Sequence, residues 1–158
     1  GGSNEPDGII ANLGSNGGVQ SGTLAGPTWA QVLEIIKDVE EANALGAHSW
    51  LLSPGAKATL AGTTKVTSDA GAGFLYENGQ VGGFAAYTTN QVPVTSNGGA
   101  AIFGDWSQVL LGVWSELDLL VNPYSETAYS KGNVLIRAMA TCDIAIRHAE
   151  AFQYADDV

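Results

Sequence analysis

The sequence predicts an α+β chain: a mixed sheet flanked by helices, with one long strand departing from it. Three observations carry this. From Asn133 onward the even positions Val134, Ile136, Ala138, Ala140, Cys142, Ile144 and Ile146 are all apolar, while the odd ones include Asn133, Arg137, Thr141, Asp143 and Arg147. That period of two marks a strand with one buried face. A single well-capped helical pattern opens at Thr28, and between it and the long strand lie short apolar runs punctuated by Asn-Gly, Gly-Gly and Pro, as expected of sheet strands.

Residues 1–26 are dense in glycine and hold few apolar residues besides Ile9, Ile10, Leu13, Val19 and Leu24. This composition predicts a connecting loop with a short strand at 8–11. The glycines lack the Gly-Lys-Ser/Thr or strand-flanked GxGxxG context that cradles phosphate. Thr28-Trp29-Ala30-Gln31 then fits a capping box, and Trp29, Val32, Leu33, Ile36 and Val39 form one apolar stripe. Glu34, Lys37, Asp38, Glu40 and Glu41 supply the wet face, and the helix is expected to end within 43–46.

Residues 49–53 read as a buried strand, and Ser53-Pro54 opens a short helix ending near Gly62. Polar residues 63–73 predict a loop. Phe74–Glu77, Asn78-Gly79 and Gln80-Val81 predict a hairpin about a tight turn. A strand at 84–88, a bend at Val92-Pro93-Val94 and a turn at Asn97-Gly98-Gly99 follow. Gly104, Asp105 and Trp106 read as a structural turn, with Asp105 bonding backbone amides. The run 109–114 is apolar on both faces, as in a central strand. Leu117, Leu119 and Val121 then share a face, Asn122-Pro123-Tyr124 breaks the strand, and 125–132 crosses into the long one. At about 3.3 Å per residue that last strand would extend roughly 45 Å, implying an elongated subunit.

Composition bounds function. Sixteen acidic residues against six basic ones give a net charge of −10, and the basic residues are dispersed, which argues against a phosphate-binding surface. No apolar run approaches the roughly 20 residues of a membrane span. Cys142 stands alone and, on the expected buried face, reads as a small hydrophobe. The two histidines, His48 and His148, form no metal-ligand pair with each other or with the cysteine. No nucleophile elbow, CxxC or HExxH occurs. No catalytic residue, cofactor or metal ligand is therefore expected, although carboxylates that converge only in space leave a small-molecule binding domain or hydrolase as an alternative.

In order along the chain, Glu5-Pro6-Asp7-Gly8-Ile9-Ile10, Trp50-Leu51-Leu52-Ser53-Pro54, Gly73-Phe74-Leu75, the segment 83–93, Gly104-Asp105-Trp106, the Asp143 strand and Glu150-Ala151-Phe152 resemble the C-terminal part of the major capsid proteins of tailed phages, the Hong Kong 97-type shell family. The resemblance spans nearly the whole chain. It implies an axial-type domain over residues 1–128, with 1–26 as its glycine-rich segment. Residues 129–158 would be the long strand of a peripheral-type domain. The family's N-terminal arm, extended loop and spine helix would precede Gly1, making the chain a C-terminal fragment.

The implied function is structural: a subunit of an icosahedral phage or prophage capsid enclosing double-stranded DNA, located in the virion and made in the bacterial cytoplasm. Partners would be further copies of the capsid protein in hexamers and pentamers. The DNA would be held without sequence-specific contacts, and the isolated fragment would be a monomer or weak oligomer. An encapsulin-like nanocompartment shell is the alternative within the same fold. Arg137, Asp143 and Arg147, on the non-core face of the long strand, are the candidate subunit-interface residues.

Overall fold

A computed structural model describes residues 9–12, 20–69, 71–92, 98–115, 117–124 and 130–158. The elements are β1 (Gln20–Ser21), α1 (Trp29–Glu41), β2 (His48–Leu52), α2 (Pro54–Gly62), β3 (Tyr76–Glu77), β4 (Gln80–Val81), β5 (Phe84–Thr88), β6 (Ala101–Asp105), β7 (Val109–Val113), β8 (Asp118–Asn122), β9 (Leu135–Met139), β10 (Cys142–Ile146) and β11 (Phe152–Ala155). Two compact units result. One is a body of Ile9–Val109 with Ile146–Val158; the other includes Leu110–Ala145. These boundaries differ from the expected division at 128/129.

The body is a mixed seven-stranded sheet in the order β1-β11-β6-β2-β5-β4-β3. β6 lies antiparallel to both β11 and β2, while β2–β5 and β1–β11 run parallel. Every residue of β6 is buried, so this strand is covered on both faces. Its Phe103 meets Trp50 at 4.6 Å and Phe84 at 5.2 Å between ring centroids, and the Trp50 indole donates to the Val81 carbonyl at 3.1 Å. Gly104 has no room for a side chain: a Cβ there would run into the Phe152 ring and the Ala151 carbonyl.

α1 packs against β6 and β11. Its Thr28 cap forms the expected box, Gln31 N donating to Thr28 Oγ1 at 3.3 Å and Thr28 N to Gln31 Oε1 at 2.9 Å. The inward stripe is Val32, Ile35, Ile36 and Val39; it runs through Ile35, whereas Leu33 is left 45% exposed. The helix leaves through Asn43, whose left-handed φ of 57° suits a position just beyond a helix end. Ser53 caps α2 by accepting from Ala56 N at 3.2 Å and also from Ala100 N at 2.9 Å. Asn78 and Gly79, with φ of 51° and 79°, make the β3–β4 hairpin turn.

Several expectations are corrected. Residues 9–12 form a 3-10 turn in place of a strand. β1 and β11 carried no strand signal, and they pair only with each other and with β6, far away in sequence. The chain does not turn at Gly104 and Asp105, which end β6; the 3-10 turn runs over Trp106–Gln108. Residues 5–8, 93–97 and 125–129, with their expected motif, bend and crossing, lie outside the described residues.

Candidate subunit interface

The long strand is not one strand. It is broken at Ala140-Thr141 into β9 and β10, which have different partners: β9 pairs antiparallel with β8, and β10 pairs with β7. The two ladders follow one another. Trp114 N donates to Thr141 O at 3.0 Å, and the next ladder begins with Asp118 opposite Met139. β7 ends at Val113 and β8 begins at Asp118, while β9 ends at Met139 and β10 begins at Cys142, so pairing is interrupted on both sides at the same level. Ser115 Oγ accepts from Thr141 N at 3.0 Å there.

The register of β8 and β9 sets the faces. Leu119 lies opposite Ala138 and Val121 opposite Ile136, so two apolar stripes from separate strands meet on one face. The other face carries Asp118, Leu120 and Asn122 opposite Met139, Arg137 and Leu135. Neither face is covered among the described residues. Ile136 is 62% exposed and Val121 56%, while Leu120 and Leu135 on the opposite face are 54% and 53% exposed. The alternation from Val134 to Ile144 therefore does not mark a core face, only Ile146 packing against the core of the body, and Cys142 is exposed rather than buried. The run 109–114 is likewise no central strand, since Leu111, Val113 and Trp114 are each about two-thirds exposed.

The three charged candidates are not brought together. Arg137 lies in β9 opposite Leu120. Asp143 lies in β10, its Oδ1 accepting from Ile144 N at 2.8 Å. Arg147 follows β10 and is tied into its own chain: its backbone N donates to Gln108 O at 2.9 Å and its Nε to Gln108 Oε1 at 2.9 Å.

Gln108, which the sequence did not single out, links Arg147 to Asp105. Its Nε2 donates to Asp105 Oδ2 at 3.0 Å, while Ser107 donates to Oδ1 from N at 3.0 Å and from Oγ at 2.7 Å. Asp105 is wholly buried. Burial pushes its carboxyl up, but the hydrogen bonds from Gln108 and Ser107, with His48 nearby, outweigh that and hold it below the usual aspartate range. The residue caps the turn between β6 and β7 and has the surroundings of a structural anion. Among the described residues no group of three or more His, Cys, Asp or Glu is placed to hold a metal ion, and no helix is long and apolar enough to cross a membrane.

Comparison with known proteins agrees with this architecture. The structure is similar to the capsid of an empty GTA particle, with a TM-score of 0.66 at 18% identity over 98% of this chain and 57% of that one. It is also similar to a protein of Mycobacterium phage Che8, with a TM-score of 0.57 at 12% identity over 82% of this chain and 48% of that one. The SrpI encapsulin of Synechococcus elongatus PCC 7942 gives 0.61 at 15% identity over 96% and 56%. The fold is thus the Hong Kong 97-type shell fold that the sequence motifs implied. The major capsid protein of Halomonas phage phiHAP-1 is 29% identical over 154 residues, 96% of this chain and 24% of that protein. The chain spans about a quarter of that relative. The model of the phage capsid family matches residues 1–157, and the chain belongs to the phage capsid family.

Proposed function

We propose that the chain is a shell-building part of a phage or prophage major capsid protein, a structural and not a catalytic element. Copies of it associate into an icosahedral capsid around double-stranded DNA, made in the bacterial host and retained in the virion. The observation that carries this is the pair of ribbons made by β7–β10 and β8–β9, most of whose large apolar side chains, Leu111, Val113, Leu119, Leu120, Val121, Leu135 and Ile136 among them, stay more than half exposed. Apolar surface of that extent on both faces of a two-stranded ladder has no stable home in water and marks an interaction surface. Neighbouring copies are the partners that a shell supplies.

On this reading the body is the axial-type domain and the unit containing Leu110–Ala145 belongs to the peripheral type, a boundary that the compact division supports better than one at 128/129. The net charge of −10 suits a wall that encloses DNA without holding it. The likeness to an encapsulin makes a nanocompartment shell the second reading. Expressing the complete gene product and imaging the particles distinguishes the two. Closed icosahedral shells that package DNA in infected or induced cells support the capsid, shells loaded with protein cargo support the nanocompartment, and failure to form any shell overturns both.

A further inference from the structure

The C-terminal end of α1 is electrostatically at odds with itself. Asp38, Glu40 and Glu41 occupy its last turn, and no basic residue of the helix does, although the carbonyl end of a helix favours cations; the one basic ring there, His148 from the far end of the chain, bonds the Ala42 carbonyl at 2.9 Å. Glu150 and Gln153, from the other end of the chain, join Asp38, Glu41 and Ala42 around a cavity of about 330 Å³ in the body. Gln153 is 4% exposed. Its Nε2 donates to Asp38 Oδ2 at 3.3 Å, which fixes the amide, and its Oε1 is buried with no donor. The pocket's reachable side chains are mostly carboxylates, those of Asp38, Glu41 and Glu150. A cationic donor is the ligand that suits them.

The chain's own cations are mostly committed. Lys37 bonds Asp38 Oδ1 at 3.3 Å. Lys65 pairs with Glu77 at 3.1 Å, and Lys57 lies over the Tyr76 ring. Arg147 borders the adjoining groove beside Glu41 and Glu150, but its Nε is held by Gln108. Among the described residues, Lys131 and Arg137 remain without a partner. Arg137 is the better fit, since its planar fork matches a pair of carboxylates. On its face of the ribbon it is surrounded by Leu120, Leu135 and Met139, and an arginine set among apolar side chains is the composition of an interface anchor.

We propose that this pocket receives the Arg137 guanidinium of a neighbouring copy, so that Asp38, Glu41, Glu150 and Gln153 form the socket and β9 carries the plug. The inference rests on the reading that copies of this chain meet in a shell, and it specifies the contact. Opposite charges placed this way set which surfaces meet and in what register.

The test uses the complete gene product with the pocket reversed (Glu41→Lys with Glu150→Lys), the plug reversed (Arg137→Glu), or both. Glu41, Glu150 and Arg137 are all exposed, so each variant should melt like the parent. Each reversal alone should raise the concentration needed for assembly about tenfold or more, the loss expected of a truncated charge pair. The doubly reversed protein should return to within about threefold of the parent, and an equimolar mixture of the two singly reversed proteins should co-assemble. Reversals without effect, or a double reversal worse than either single one, overturn the pairing while the parent's shells leave the capsid reading standing. A parent that never assembles overturns both.

Discussion

Replacing Asp105 by alanine removes the buried carboxylate that organises the turn between β6 and β7. Three hydrogen bonds are lost, at 3.0, 2.7 and 3.0 Å. Bonds to a charged acceptor contribute about 1.5–3 kcal/mol each in favourable cases. Ser107 is exposed and Gln108 half-buried, so their freed donors rebond to water, and the net loss should be about 2–4 kcal/mol. For a chain of 158 residues, with roughly 2–4 °C per kcal/mol, Asp105→Ala should melt about 5–15 °C lower.

Asp105→Asn sharpens the test. The new amide keeps an oxygen for Ser107 but points its NH2 at the Gln108 Nε2 donor, and Gln108 can turn over only by presenting that donor to Arg147 Nε. A loss of about 1–2 kcal/mol is expected. The sign of the pH dependence follows from the depressed carboxyl. The folded state binds the proton less readily than the unfolded chain, whose aspartate titrates near about 3.9, so the stabilisation is present above that pH and is lost as pH falls through the folded value. The gap in melting temperature between the parent and Asp105→Asn, followed by circular dichroism, should be constant from about pH 7 to 5 and close below about pH 4. A gap unchanged down to pH 2.5, or an alanine variant within about 1 °C of the parent, would refute the assignment.

Other outcomes follow from the same structure. Gly104→Ala should fail to fold or melt more than about 10 °C lower, because its Cβ meets the Phe152 ring and the Ala151 carbonyl; a soluble variant with parental melting would show that β11 is not seated as described. Thr28→Ala removes half of the α1 capping box and should lower stability by about 1 kcal/mol in chemical denaturation. Asp143→Lys, at an exposed site bonded among the described residues to its own neighbour, should leave the melting of the chain within about 2 °C and impair assembly of the gene product, if this residue faces another copy. Normal shells would remove it from the interface, and a large melting loss would assign it to the fold.

The elements that a short window of residues defines were legible. Thr28 with Gln31 starts α1, Ser53-Pro54 starts α2, and Asn78-Gly79 makes a hairpin. What escaped depends on distant pairing. β11 is a strand because Phe152–Ala155 sits beside β6, and Gln20–Ser21 is one because it sits beside β11; neither stretch has a pattern of its own to announce it. The socket likewise joins Asp38 and Glu41, which read as the wet face of a helix, to Gln153 from the far end of the chain.

The long strand teaches a different lesson. Its alternation was real: Ile136 and Ala138 do share a face with Leu119 and Val121. Alternation shows that one side of a strand is apolar, but not what covers it. The expectation of a core face was wrong for that reason, and the resulting exposure is what points to a partner. The break at Ala140-Thr141 was invisible because it is where the chain changes partner from β8 to β7, and the residues around it do not show which strands lie opposite.

That uncovered ribbon is tested most directly by one substitution, Ile136→Lys, made in the complete gene product and read by sedimentation and electron microscopy. Ile136 is 62% exposed in the chain, so the change should move the melting temperature of the isolated chain by no more than about 2 °C. A charge buried without a partner between copies costs far more than the apolar contact it replaces, so shells should be absent and the protein should sediment as small species. Normal shells from Ile136→Lys would show that this face is not where copies meet.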